Sequence, residues 1–303
     1  MRCSARTIPP QLLAGERITI PARTFDSVAV IGLGAIGGSL AWGARRYGVP
    51  RVVGYTPVRG EAEAAQRAGA VSALAATAEE AANETELVVL AAPPRPTLDL
   101  IRSLAPRLPA GVLLSDVASV KSRVVAQAIA AGLEERFAGA HPLAGTHDSG
   151  FAAAAPDLLR SCVVYVCATG ERGRAAACRV ADFWAGVFAA TPVFIGPAEH
   201  DRLLAWTSHL PQAVAYVLAT ALAARRIPVQ SLGPGARDTT RLAASSPTLW
   251  VDIFLDNRDE ILSALAAVGS QLHMLRDLID RRDEAGLRAL LSSAATFRRE
   301  VER

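Results

Sequence analysis

Lysine is almost absent from this chain of 303 residues: Lys121 is the only one, and arginine supplies the rest of the basic side chains. The formal net charge is only +3, which is too small and too dispersed to indicate a nucleic-acid partner. Together with frequent alanine, the preference for arginine indicates genome base composition rather than a function.

Cysteine is also scarce, and the four that exist form neither a CxxC pair nor a metal-ligand cluster with histidine: Cys3, Cys162, Cys167 and Cys178. We therefore predict reduced thiols, no bound metal and a cytoplasmic location. No uninterrupted apolar run is long enough to span a bilayer, so no membrane association is predicted. Residues 1–23 lack the apolar core of a secretory signal, and we expect residues 1–25 to form a disordered tail.

What the chain does contain is enough length and apolar content for two globular domains. Strand and helix patterns alternate through residues 26–196, which predicts an α/β domain with a doubly wound parallel sheet. In such a sheet the ligand crevice lies outside the carboxyl ends of the strands. Residues 197–303 show helical periodicity almost without strands. Their long apolar faces predict an all-helical second domain that forms a homodimer.

A glycine-rich turn follows the first predicted strand, residues 27–31, and leads directly into a helix. Gly32 permits the tight turn, Gly34 lets the backbone approach a pyrophosphate, and Gly37 allows the helix to pack closely on the strand. The N-terminus of that helix would face the phosphates. We therefore predict a Rossmann-like dinucleotide site that uses this turn: Gly32, Leu33, Gly34, Ala35, Ile36 and Gly37.

The second predicted strand, residues 51–54, ends without the carboxylate that commonly holds the ribose 2′-hydroxyl of NAD. Thr56 can hydrogen-bond to a 2′-phosphate, and Arg59 can pair with it. The sequence therefore favours NADP, with NAD as the other possibility. Alternatively, Arg59 is only the first solvated residue of the next helix.

A histidine also stands at a strand end, where the sheet places the ligand crevice. His141 follows the predicted strand 137–140, and a neutral imidazole is a suitable general base near pH 7. A packing histidine is the alternative. The carboxyl ends of two earlier strands are expected to reach the cofactor beside it, at Ala92, Pro93 and Asp116.

In order along the chain, these motifs resemble the prephenate/arogenate dehydrogenases of tyrosine biosynthesis. The resemblance covers nearly the whole chain from Val28 and rests on six segments: 32–40, 116–121, 141–146, 199–201, 208–211 and 238–243. It implies an NADP- or NAD-dependent oxidative decarboxylation of prephenate or arogenate. Hydride would leave ring carbon C4 for the nicotinamide, the hydroxyl proton and CO2 would depart, and the ring would become aromatic. The products would be 4-hydroxyphenylpyruvate or tyrosine.

The resemblance also assigns roles residue by residue. It implies that His141 is the base for the 4-hydroxyl proton and that Ser119 orients either this base or the hydroxyl. Arg241 would pair with a substrate carboxylate. His209 would help to hold the substrate side chain or the ring carboxylate, and Thr146 would add loop contacts.

Most of these residues also have a structural alternative. His209 could be buried and hydrogen-bonded, Arg241 could form an interdomain salt bridge, and Ser119 could cap the following helix. His200 is expected to cap or brace the interdomain helix rather than to take part in the chemistry. Lys121 is expected either near the cofactor or at a solvated helix start.

One residue departs from many prephenate-using members, which carry another histidine where this chain has Gln212. Gln212 is expected to face the substrate side chain, so the choice between prephenate and arogenate stays open. A related dehydrogenase acting on 4-amino-4-deoxyprephenate is an alternative. A 6-phosphogluconate-type hydroxyacid dehydrogenase would need a catalytic lysine early in the helical domain, which has none. A dinucleotide-sensing regulator would not need His141, Ser119 and Arg241 together.

Overall fold

The computed structural model describes residues 25–145 and 148–301. The tail expected at residues 1–25 lies outside this range except for its last residue, Phe25. That ring is buried and meets the ring of Phe183 edge to face at 6.1 Å. Phe25 therefore belongs to the core and not to the tail.

The N-terminal region is built on one eight-stranded sheet with the strand order β3-β2-β1-β4-β5-β6-β7-β8. Its strands are β1 Ser27–Ile31, β2 Arg51–Tyr55, β3 Ala73–Leu74, β4 Leu87–Leu90, β5 Leu113–Asp116, β6 Phe137–Pro142, β7 Val163–Ala168 and β8 Thr191–Phe194. Order and direction confirm the predicted doubly wound α/β fold from β1 to β6. The ligand crevice of such a sheet lies where β1 and β4 end, because the strand order reverses there.

Two strands depart from the predicted parallel sheet: β7 runs antiparallel to β6, and β8 is parallel to β7. A parallel neighbour requires a crossover connection, usually an α-helix that returns across the face of the sheet. The described residues between β6 and β7 contain only a 3₁₀ turn at Phe151–Ala153. The chain therefore doubles back at the edge that β6 presents.

Six helices cover the two faces of the sheet: α1 Ala35–Arg46, α2 Arg59–Arg67, α3 Ala78–Asn83, α4 Pro94–Leu104, α5 Ser122–Ala130 and α6 Arg174–Phe188. Alternate residues of β1 enter the apolar cores on opposite faces. Val28 and Val30 pack on the side of α1 and α6, whereas Ala29 and Ile31 pack on the side of α3 and α4. Burial on both faces explains why the strands are continuous apolar runs.

The C-terminal region contains six further helices: α7 Pro197–Leu204, α8 Leu210–Ala224, α9 Pro234–Thr240, α10 Pro247–Asp256, α11 Arg258–Asp280 and α12 Glu284–Val301. A π-helical turn, Ala205–His209, joins α7 to α8, so the helix predicted at 199–225 is continuous. The helix predicted at 247–279 is instead interrupted at Asn257. Within the described ranges, none of these helices is both long and apolar enough to cross a membrane.

Candidate active site

The glycine-rich turn has the shape that a dinucleotide pyrophosphate requires. Gly32 has φ +100°, and a Cβ there or at Gly37 would overlap neighbouring backbone. At Gly34 the only described atom within 4 Å of an added Cβ is Glu61 Oε1, at 3.8 Å. Gly34 is also the N-cap of α1, and no side chain caps that helix end. The free N–H groups of α1 and the open space at Gly34 therefore fit a phosphate.

The other residues predicted at the cofactor differ in what they present to the crevice. Leu33 is fully buried in the core and presents no exposed surface to the crevice. Ala35 and Ile36 are half-buried in the first turn of α1. Ala92 is half-buried, and its carbonyl accepts a hydrogen bond from Thr97 Oγ1 at 2.9 Å, while Pro93 is exposed at the N-cap of α4.

Asp116 requires a correction, because its side chain is fully buried and already has partners. Its Oδ2 accepts hydrogen bonds from the Lys121 ammonium and from Ala118 N at 2.8 Å, and its Oδ1 accepts one from Ala140 N at 3.4 Å. The carboxylate is thus directed into the protein rather than toward a cofactor. For Lys121 the solvated helix start is wrong, because its side chain has no exposed area.

Lys121 and Asp116 together fix the end of β6 against β5. The Lys121 ammonium also donates to the carbonyl of Ala140 at 2.8 Å, one residue before His141. A buried charge of this kind is tolerated because it is paired and hydrogen-bonded. A buried ion pair therefore fixes the backbone next to His141.

His141 is the first member of a chain of three hydrogen-bonded side chains. Its Nδ1 lies 2.9 Å from Nε2 of His200, and Nδ1 of His200 lies 2.8 Å from Oδ1 of Asp201. His200 is fully buried, and its ring also meets that of Tyr165 edge to face at 5.5 Å. His200 thus contacts the candidate base directly, which goes beyond the bracing role expected from the sequence.

The order of this chain determines which nitrogen of His141 is basic. The Asp201 carboxylate can only accept, so His200 Nδ1 carries a proton and His200 Nε2 is left as an acceptor. His141 Nδ1 must then donate to His200, and the lone pair of His141 lies on Nε2. The half-buried ring of His141 can therefore accept a proton at Nε2. Among the imidazole nitrogens of these three linked side chains, it is the only one without a protein partner.

Burial keeps both histidines neutral. It lowers the pKa of His141 well below its ordinary value, and the neighbouring His200, Lys121 and His209 lower it further. Burial also lowers the pKa of His200, although the hydrogen bond to Asp201 opposes this shift. Since only a deprotonated imidazole can accept a proton, the environment favours the form of His141 that acts as a base.

Asp201 connects this chain to the N-terminus of α5. Its Oδ1 accepts from Lys121 N and its Oδ2 from Ser122 N, both at 2.8 Å. Burial raises the pKa of Asp201, but the hydrogen bonds from His200, Ser122 and Lys121 outweigh it, and the net shift is downward. The helix end is therefore capped by Asp201 and its N-cap position is Lys121, so Ser119 is not the cap. Ser119 is half-buried in the turn before it.

His209 has one satisfied and one unsatisfied ring nitrogen. Asn257 Nδ2 lies 3.0 Å from His209 Nδ1 and also donates to the backbone carbonyl of Asp201 at 2.7 Å. Because an amide NH₂ donates, His209 Nδ1 accepts and the proton is on Nε2. That Nε2 is buried and has no hydrogen-bond partner. Burial lowers the pKa of His209 to about 4, so it is a neutral N–H donor.

Arg241 and Gln212 lie on the helical side of the site. Gln212 is buried on α8, and its Nε2 donates to the carbonyl of Leu242 at 2.6 Å. Tyr216 Oη, one turn later, donates to the carbonyl of Ser245 at 2.8 Å. These bonds hold the segment that begins at Arg241, whose side chain is exposed. No contact among the described residues joins Arg241 to His141, and Thr146 lies outside the described residues.

Several residues that shape this site were not predicted to do so from the sequence. His200 and Asp201 were recognised only as part of a motif, and Asn257 lies within a stretch that was predicted to be continuous helix. Their roles depend on contacts between residues 48–80 positions apart, which no local pattern displays. The π-turn before His209 is a local irregularity of a kind that is frequent at functional sites.

The comparisons with known proteins identify the family of this chain. Residues 40–192 match the family model of the prephenate dehydrogenase nucleotide-binding domain, and residues 196–293 match that of the prephenate dehydrogenase dimerization domain. The chain is 30% identical to a prephenate dehydrogenase of Bacillus subtilis over 90% of this chain and 75% of the relative. It is 31% identical to a cyclohexadienyl dehydrogenase of Zymomonas mobilis over 86% of this chain and 90% of the relative.

Solved structures show the same fold over nearly the whole chain. Prephenate dehydrogenase of Aquifex aeolicus, in complex with hydroxyphenyl propionate and NAD+, superposes with a TM-score of 0.84 at 28% identity, covering 94% of this chain and 100% of that one. Arogenate dehydrogenase of Synechocystis superposes with a TM-score of 0.77 at 26% identity, covering 91% and 99%.

Proposed function

This chain belongs to the prephenate dehydrogenase family, and we propose that it catalyses the oxidative decarboxylation of prephenate or arogenate with a nicotinamide dinucleotide as the oxidant. The observation that carries the proposal is the hydrogen-bonded chain from Asp201 through His200 to His141. It presents a neutral, basic Nε2 at the end of β6. The phosphate-binding turn after β1 opens at the same edge of the sheet.

The cofactor would be held by the turn Gly32–Gly37 and by the N-terminus of α1, which have the room and the free N–H groups for a pyrophosphate. When bound, the nicotinamide supplies the acceptor for the hydride that leaves ring carbon C4. The protein contributes orientation and proton transfer.

His141 performs the proton transfer. Its Nε2 accepts the proton of the 4-hydroxyl as C4 becomes a carbonyl carbon. CO2 loss then makes the ring aromatic and leaves its electron pair on the 4-oxygen as a phenolate, which takes the proton back from Nε2. The imidazolium formed this way keeps its Nδ1–H bond to His200, and the positive charge lies two hydrogen bonds from the Asp201 carboxylate. Asp201 therefore stabilises the protonated base without contacting the substrate.

Two groups of the helical region would anchor the substrate. His209 offers a neutral, buried N–H, which suits a carboxylate or keto oxygen of the side chain or the ring carboxylate. Arg241 supplies the cation for a substrate carboxylate, and Gln212 holds its segment against α8. Ser119, in the turn after β5, is proposed to orient His141 or the hydroxyl, and Thr146 is proposed to add loop contacts.

We further propose that the enzyme is a homodimer formed through the helical region, because this region matches the family's dimerization domain and exposes several apolar side chains: Val217, Leu272, Ile279 and Phe297. The cytoplasmic location predicted from the reduced cysteines stays a prediction. Two of these cysteines, Cys162 and Cys167, are free thiols in the described part of the chain.

The NADP preference favoured by the sequence is not supported by the contacts of the two residues on which it rests. Arg59 is 92% exposed and pairs with Glu63, its Nε lying 2.7 Å from Oε1. Thr56 donates to Glu61 Oε2 at 3.2 Å. Neither side chain is left directed toward a 2′-phosphate.

The proposed activity is tested by following reduced nicotinamide by absorbance with prephenate and with arogenate, each supplied with NAD and with NADP. We expect turnover with at least one combination and its loss in the His141→Asn variant. Absence of turnover in all four combinations, in a folded and dimeric sample, would contradict the proposal.

A further inference from the structure

No acidic residue directly follows β2 in the sequence. The carboxylate of Glu61, which belongs to helix α2, nevertheless lies beside the end of this strand. Its Oε2 accepts a hydrogen bond from Thr56 Oγ1 at 3.2 Å, and Thr56 is the first residue after β2. Its Oε1 lies 3.8 Å from the Cβ position of Gly34 and 3.5 Å from that of Gly150. The carboxylate therefore stands between the end of β2 and the phosphate-binding turn.

That space corresponds to the ribose of the adenosine half of a dinucleotide. In this type of fold the pyrophosphate lies on the glycine-rich turn, and the adjoining ribose lies toward the end of the second strand. A carboxylate at this position accepts a hydrogen bond from the ribose 2′-hydroxyl, whereas it repels a 2′-phosphate. Glu61 approaches Gly34 and Thr56 together, so its charge lies where the two cofactors differ.

The arginine that would favour the phosphate lies on another side of the same helix. Arg59 and Glu63 are four residues apart on α2 and face each other, with 2.7 Å between Arg59 Nε and Glu63 Oε1. Glu61 is two residues from each of them and therefore faces away from both. The charge nearest to the ribose position is thus the negative charge of Glu61. The positive charge of Arg59 lies away from this position and is paired with Glu63.

We propose that Glu61 makes this enzyme select NAD over NADP. The inference rests on the proposed function, because it assigns the cofactor preference of that site, and it reverses the preference predicted from the sequence. The reversal has a structural cause: the carboxylate comes from the first turn of α2, five residues after Thr56, instead of from the strand end itself.

The test is direct binding of NAD and of NADP, measured by titration calorimetry without substrate, to the full-length wild type and to two variants. Glu61→Gln removes the charge at the ribose but keeps the size of the side chain. Glu63→Gln is the matched control, since it removes an equal charge from the same helix on the face of Arg59. Thermal unfolding of each variant establishes that it is folded.

We expect the wild type to bind NAD more tightly than NADP. In Glu61→Gln the ratio of the two affinities should shift toward NADP by about 10- to 100-fold, the effect of losing one hydrogen bond to a charged group. Glu63→Gln should keep the wild-type ratio. This pattern in folded proteins would support the assignment of Glu61.

Four outcomes would overturn the assignment. Tighter binding of NADP by the wild type, or an unchanged ratio in folded Glu61→Gln, would remove Glu61 from the selection while leaving a dinucleotide enzyme in place. A gain in NADP affinity in Glu63→Gln alone would assign the selection to the released Arg59. Failure of the wild type to bind either dinucleotide would overturn the proposed function together with this inference.

Discussion

The sheet region buries most of its apolar side chains, whereas the helical region leaves many of its apolar side chains exposed. All four residues of β4 are buried, and seven residues of α1 are buried against the sheet. In the helical region α11 buries only two of its 23 residues, and α12 buries none. The exposed apolar side chains of the helical region include Val217 at 67% and Phe297 at 68% exposure.

This difference shows that the two regions reach stability by different routes. A helix beside a sheet buries its apolar face within the same chain, and the N-terminal helices do so. Helices α8 to α12 leave many apolar side chains exposed, and in the proposed homodimer a second copy of the chain would cover them. The candidate site spans both regions: the sheet carries His141, and the helical region carries His209 and Asn257.

The largest effect is expected in the sheet region, from His141→Asn. General-base assistance contributes about 10²- to 10⁴-fold in rate, so we expect a fall of that size in kcat with dinucleotide affinity unchanged. In the wild type kcat/KM should fall with decreasing pH only below the ordinary histidine pKa, because burial lowers the pKa of His141. The variant should not show this fall of kcat/KM at low pH.

Steady-state kinetics across pH, beside thermal unfolding, check this prediction. A histidine that only packs would reduce activity in proportion to the unfolded fraction. A folded variant with near-wild-type kcat and the same pH limb would refute the proposed base.

The next effect is expected in the helical region, from Arg241→Ala. Losing a charged contact to a substrate carboxylate should raise KM by about tenfold or more and lower kcat much less. Arg237→Ala is the matched control, because Arg237 lies one turn earlier in α9 and donates to the carbonyl of Leu232. Equal KM values for the wild type and Arg241→Ala would remove this arginine from the site and weaken the division of roles between the two regions.

Acid should destabilise the folded chain through His209, in the helical region. Unfolded, this histidine takes up a proton near its ordinary pKa of 6.5, whereas in the folded chain burial lowers the pKa to about 4. Between these values the unfolded state binds more protons, so the stability present above pH 6.5 is lost as pH falls. The loss from His209 alone amounts to about 3 kcal/mol at pH 4.

Denaturant unfolding at pH 7 and pH 5 measures this dependence. His209→Gln should flatten it, whereas His273→Gln, which removes a side chain that is 63% exposed, should not. If both variants kept the full wild-type slope, the buried neutral state of His209 would be wrong.

The smallest effect is expected from a charge on the apolar face of α11. Ile279→Asp should weaken the dimer by about tenfold or more, since burying an unpaired charge is costly. Ile129→Asp is a matched control, because Ile129 also lies one residue before the end of its helix, α5. Sedimentation across a dilution series compares the two. Equal dissociation of both variants, or a monomeric active wild type, would contradict the comparison between the regions.

Much of the fold could be predicted from the sequence, because the longer elements follow a simple period. The strands at 27–31, 51–54 and 137–140 are buried apolar runs, and the glycine turn after the first of them defines the topology. The missed elements are short: β3 has two residues and α3 has six. The antiparallel direction of β7 was not predicted, because it depends on the connection and not on the strand itself.

The site was only partly predictable for a related reason. His141 could be found because the strand end determines its position. His200 and Glu61 could not, because a hydrogen bond to His141 and an approach to Gly34 depend on how separate elements pack. The prediction that Asp116 contacts the cofactor was wrong, because its carboxylate is buried within the sheet and pairs with Lys121.

Because Lys121 is buried, the reactivity of its ε-amine reports when the structure around it opens. It is the only lysine, so the chain has only this ε-amine and its N-terminal amine for an amine-acylating reagent. While the contacts to Asp116 and Ala140 hold, the ε-amine is shielded and has no exposed area. Acylation at Lys121 must therefore wait until β5, β6 and α5 separate. Mass spectrometry of that single site would time the opening of the layer next to the proposed base, His141, without any engineered label.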